Sequence, residues 1–137
     1  MKNIALIFLS MMAVGCTAAL KPADRIAKDF KTVNFQDGIS LEEALIIAKK
    51  EVIEQTPPQA YTLEEPKLMT DFGSVPHQDE YWFVSFNEIT KGITPIVYMV
   101  TLRKDTGKIV FSRSYSPLNE WILEAALLKL HEKPEKQ

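Results

Sequence analysis

The groups in this chain that could do covalent or acid–base chemistry are few, and their spacing is poor for it. There is one thiol, Cys16, and there are two imidazoles, His77 and His131. A metal centre needs several His, Cys or carboxylate ligands brought together. The two histidines lie far apart, and His77-Gln78-Asp79-Glu80 reads as a solvated loop. General acid–base work needs carboxylates that converge on one atom. Here Glu42-Glu43, Glu64-Glu65 and Asp79-Glu80 are adjacent in sequence, and adjacent side chains diverge on both helices and strands. No serine lies in a nucleophile-elbow pattern, and the five glycines form no phosphate-cradling loop. The residues therefore predict no catalytic residue, no metal and no cofactor: the chain reads as a non-enzyme. Four aromatics, Tyr81, Trp82, Tyr98 and Tyr115, fall on predicted strands. They are the binding candidates, able to stack a sugar or peptide, although aromatics on strands more often build a core.

Cys16 gains its meaning from what precedes it. Lys2 gives a positive start, Ile4 to Val14 is apolar with almost no interruption, and Gly15 is small. The apolar stretch has the length of a signal-peptide core and falls short of the about 20 residues a membrane-spanning helix needs. Met12-Ala13-Val14-Gly15-Cys16 resembles the lipobox of bacterial lipoproteins. It departs at Ala13, where Leu is usual. The resemblance implies that the Cys16 thiol takes a diacylglyceryl group and that cleavage exposes an amine for a further acyl chain such as palmitate. Two or more acyl chains give stable anchoring where one does not. Thr17 follows. An Asp there would favour inner-membrane retention, so Thr17 implies the outer membrane of a Gram-negative envelope, facing the periplasm.

The formal charge is −2, with 46% hydrophobic and 25% charged residues, the composition of an ordinary globular domain. No Lys/Arg stripe stands out, so nucleic-acid binding has no electrostatic footprint. One cysteine leaves no partner for an internal disulfide, and stability must come from the core. A mature chain of about 120 residues suits one domain. The expected organisation is a signal peptide over 1–15, a tether over 16–38, a folded domain over 39–131 and a disordered tail over 132–137. Within the tether, Ala23–Phe30 has helical spacing, but a flexible spacer is the preferred reading.

The elements follow from periodicity and punctuation. Ser40-Leu41-Glu42-Glu43 is a capping box. Leu41, Ala44, Leu45, Ala48 and Val52 then form one helical face. Pro57 and Pro58 stop the helix. Strands are expected over Lys67–Phe72, Tyr81–Phe86, Ile96–Leu102 and Ile109–Tyr115. Trp82, Val84 and Phe86 share a face, as do Ile96, Tyr98, Val100 and Leu102, with Val97, Met99 and Thr101 opposite. Asp105 and Thr106 suit a type I turn, and Gly107 suits the left-handed position that closes a bulged hairpin. Ser116-Pro117 opens a second helix that runs to about His131. Its stripe is Leu118, Trp121, Ile122, Ala125 and Leu128, and Leu123, Leu127 and Leu130 make it apolar elsewhere too. The fold class predicted is α+β: an antiparallel sheet of three to four strands, with the N-terminal and C-terminal helices packed on one face.

This order resembles a PepSY-type domain over about Ser40–Ser112. Leu41-Glu42-Glu43-Ala44-Leu45-Ile46-Ile47-Ala48 is similar to that family's opening helix and Tyr81-Trp82-Phe83-Val84 to its first core strand. Val97–Leu102 with Asp105-Thr106-Gly107-Lys108-Ile109 is similar to its final hairpin. The family often has Asp after the penultimate strand, where this chain has Arg103-Lys104. The loop Asn87–Pro95 and the C-terminal helix fall outside the minimal domain. The resemblance implies a non-catalytic binding or inhibitory module and transfers no catalytic residue. The expectation is a lipid-anchored envelope protein that modulates a peptidase or another periplasmic protein. The alternatives are an immunity-type lipoprotein that neutralises a periplasmic toxin and, last, a small envelope enzyme.

Overall fold

A computed structural model describes residues 20–70, 76–89, 92–119, 124–126 and 128–129. Two helices, α1 (Pro22–Phe30) and α2 (Leu41–Gln55), precede four strands: β1 (Lys67–Leu68), β2 (Tyr81–Asn87), β3 (Val97–Arg103) and β4 (Ile109–Tyr115). The strands form one antiparallel sheet in the order β1-β2-β3-β4. The predicted α+β class holds.

α2 starts where its cap dictates. The Glu43 amide donates to Ser40 Oγ (3.3 Å), and the Ser40 amide donates to Glu43 Oε2 (2.9 Å). At the far end the Thr56 amide and hydroxyl both donate to the Val52 carbonyl, and Pro57 prevents continuation. Ala44, Ile47, Ala48 and Val52 are buried. The two alanines let the helix lie close on Val84, Phe86, Tyr98, Val100 and Leu102 of the sheet. The expected face is rotated: Leu41 is exposed and Ile47 buried. Ile47 lines a small cleft with Phe30 and Phe35, which belong to a third layer outside α2.

That layer corrects the expected tether. Residues 22–30 are helical, Pro22 occupies the first helical turn, and Ile26 is buried. α1 packs across α2, and Phe30 and Val33 reach the main core. The apolar residues at helical spacing find a surface to cover, which a spacer would not.

The hairpin β3–β4 forms as its turn residues predict. Gly107 has φ +70°, its amide donates to the Arg103 carbonyl, and the Arg103 amide donates to the Lys108 carbonyl, both at 2.9 Å. A register shift between Thr101 and Leu102 marks a bulge, with Val110 the extra residue. β1 is shorter than expected at two residues, and the end of that expected strand, Phe72, lies outside the described residues. β2 and β3 each run one residue beyond their expected ends, and β3 starts one residue later.

The sheet carries a core on both faces, which corrects the one-sided arrangement. Tyr81, Phe83, Met99, Phe111 and Tyr115 form a second buried cluster on the face away from α2, with Ala126 packed against it. Residues 117–119 form a 3-10 turn, and 124–126 and 128–129 are helical. Ala126 thus packs on the opposite face. The other residues of that expected helix, including Trp121, Ile122 and His131, lie outside the described residues.

Candidate functional site

The four aromatic candidates do not converge. Trp82 and Tyr98 point to the α2 face, Tyr81 and Tyr115 to the other, because odd and even strand positions alternate across a sheet. Tyr81, Tyr98 and Tyr115 are buried. Tyr98 Oη shares a hydrogen bond with Ser112 Oγ (2.8 Å), and Tyr115 Oη donates to Met69 Sδ (3.6 Å). The Trp82 indole N–H donates to the Ile39 carbonyl (2.8 Å). These aromatics build the two cores and clamp the chain before α2, and together they make no stacking platform.

The described serines are similarly spent on structure. Ser40 caps α2, Ser85 donates to the Lys67 carbonyl, Ser112 meets Tyr98, Ser114 bonds Tyr61, and Ser116 accepts from the Leu118 amide. His77, held in a left-handed conformation at φ 56°, lies 3.8 Å from Glu80 on the surface. Among the described residues no cluster of His, Cys, Asp or Glu has the geometry of a metal site. His131 lies outside them, as does Cys16.

The most elaborate polar constellation is the rim where the link from α1 to α2 meets the β3–β4 hairpin. It borders an open groove of about 660 Å³. Gly38 takes φ +89°, turning the chain so that the Ile39 amide donates to the Lys104 carbonyl (2.6 Å). Glu43 closes the rim from α2, accepting from the Asn34 amide (2.8 Å) and from the amide and hydroxyl of Ser40. These bonds hold its carboxyl below the ordinary range, the Asn34 amide contributing most. Both oxygens are occupied, and the group is a structural clasp rather than a base. Asp37 and Glu42 are exposed at the same groove. Lys104 Nζ lies 4.4 Å from the Trp82 ring centroid, a cation–π contact.

The hairpin tip has its own clasp. Arg103 donates twice to Asp105, through Nε (2.8 Å) and Nη2 (2.6 Å). This fork lowers the Asp105 carboxyl to about 2 and raises the guanidinium. Arg103 and Lys104 stand where the resembled family often has Asp, and here they serve as a turn brace and a cover for Trp82.

The surface instead offers apolar contact. On the β2–β3 connection over 88–96, Ile89 is 50% exposed, Ile93 fully exposed and Ile96 38% exposed. Three isoleucines within eight positions are the loop's signal in the sequence, although Ile96 is expected there on a strand face. In the comparisons with known proteins, no family model, no curated protein and no solved structure matches this chain.

Proposed function

We propose that this chain is a lipid-anchored, non-catalytic binding module of the bacterial envelope, held by acyl chains on Cys16 and acting by contact with a protein partner. The observation that carries the reading is the β2–β3 loop. Three isoleucines are presented on one short connection, and burying each fully contributes about 1.5–3 kcal/mol. Apolar side chains exposed together on one loop are what an interaction surface presents. The described serines and Glu43 are committed to internal bonds, which supports contact over chemistry. The PepSY-type resemblance supports a peptidase or another periplasmic protein as the class of partner.

The test has two arms in the intact cell. Cys16→Ser abolishes lipid labelling and moves the chain to the soluble fraction, and unchanged membrane fractionation would sink the anchor. A photo-crosslinking residue at Ile93 gives a discrete protein adduct that the same probe at the hairpin residue Lys108 does not. Ile89→Asp reduces that adduct at least tenfold. A chain with no adduct at Ile93, or with equal adducts at both positions, does not bind through this loop.

A further inference from the structure

α1 sorts its charges in a way that its sequence conceals. Lys21, Arg25 and Lys28 follow one another at intervals of four and three, which puts them on a single helical face. All three are exposed. Ile26 and Phe30 occupy the opposite side, against α2. Asp24 and Asp29 flank the basic stripe instead of interrupting it, and among the described residues neither they nor any other carboxylate forms an ion pair with it. Leu20, 54% exposed, stands at the head of the stripe.

The second observation is the short leash. Leu20 stands four positions after Cys16, and four residues span at most about 14 Å fully extended. That reach is an upper bound, of the same order as the Debye length of about 8–10 Å at ordinary ionic strength. An acylated Cys16 therefore holds the head of the stripe, Leu20 and Lys21, near the lipid headgroups, where the helix can lie down on them.

We propose that the exposed face of α1 docks on the anionic phospholipid surface of the bilayer that holds the anchor. Lys21, Arg25 and Lys28 meet the headgroups, Leu20 enters the interface, and the sheet stands away from the membrane behind α2. The inference rests on the lipid-anchor reading above. Its consequence is orientation: a membrane-bound domain that presents a defined side to the periplasm.

The test uses the full lipidated chain, in which the Cys16 thiol is blocked by its thioether. A new cysteine, Asp24→Cys, carries a fluorophore beside the stripe. Arg113→Cys carries one on the face of the sheet away from α1 and α2, where position 113 is exposed. Vesicles contain headgroup spin-labelled lipid in either phosphatidylcholine alone or phosphatidylcholine with phosphatidylglycerol. The label at 24 is quenched with phosphatidylglycerol, several-fold less without it, and released by high salt, while the label at 113 stays unquenched throughout. Replacing Lys21, Arg25 and Lys28 with Gln weakens docking about fivefold per side chain. Circular dichroism unchanged from the parent shows that the variant is folded. Equal quenching at 24 and 113, no dependence on phosphatidylglycerol, or quenching that survives the triple substitution overturns the docking. A stripe reserved for an acidic protein gives that same indifference to lipid. Failure of the chain to sediment with phosphatidylcholine vesicles at all reports the separate failure of the anchor.

Discussion

Gly107 is where local geometry and tertiary packing demand the same residue. Its φ of +70° disfavours any side chain, and a Cβ there would lie 2.9 Å from the Phe35 ring and 3.0 Å from Ile39 Cδ1. Gly107→Ala is therefore expected to cost about 2 kcal/mol or more, read as a lower urea midpoint at unchanged slope. Ser40→Ala removes one half of the capping box and is expected to cost about 1 kcal/mol. The carboxylates give a pH dependence with a definite sign. Glu43 and Asp105 both titrate lower in the folded chain than in the unfolded one. Their contribution is thus full above the ordinary carboxylate range and is lost as pH falls through it, for Asp105 down to about 2. Denaturant midpoints should fall from pH 6 to pH 3, and Glu43→Gln should flatten part of that slope. The first of these residues was legible in the sequence, since Asp105-Thr106-Gly107 is a turn signal by itself. The bond from the Asn34 amide to Glu43 was not, because nothing local links positions nine apart across a bend.

At the scale of elements, the readable parts were those whose periodicity is self-sufficient. Trp82, Val84 and Phe86, and Tyr98, Val100 and Leu102, alternate strictly, so the faces of β2 and β3 follow from the sequence. α1 was ambiguous because nine residues are too few to hold a helix alone. Its stability comes from docking Ile26 and Phe30, a tertiary fact. The basic stripe was hidden for the same reason: Lys21, Asp24, Arg25, Lys28 and Asp29 look mixed until a helix separates them. The aromatic candidates divide between two faces for a different reason. Aromatic type marks Tyr81 and Trp82 equally, but neighbours on a strand face opposite ways. Ile26→Ala decides whether α1 is an element or a spacer. If α1 is docked, the substitution costs about 2 kcal/mol and α1 amides lose hydrogen-exchange protection ahead of the sheet. A spacer would leave both measurements where they were.

The whole molecule is a sheet between two unlike covers. On one side α2 and α1 enclose Leu102, Val100 and Val84. On the other, Met99 is fully buried among Phe83, Phe111 and Tyr115, with Ala126 on the cluster. A single cysteine leaves no internal disulfide to hold either side. Net stability for a domain of this size is of order 5–15 kcal/mol, so each cover is indispensable only if its core contributes a comparable share. Leu102→Ala and Met99→Ala compare the two directly, since both side chains are fully buried and truncation of either type costs about 2–5 kcal/mol in a closed core. Equal losses of about 3 kcal/mol are expected, measured by urea denaturation at pH 7 on the full chain. A loss at Met99 below about 1 kcal/mol, beside a full loss at Leu102, would mean that the far face behaves as a surface. The C-terminal residues would then be a detachable cover, and the sheet behind them a second place for a partner to bind. Equal losses instead make both faces core, and leave the β2–β3 loop and the outer side of α1 as the surfaces through which the molecule meets its surroundings.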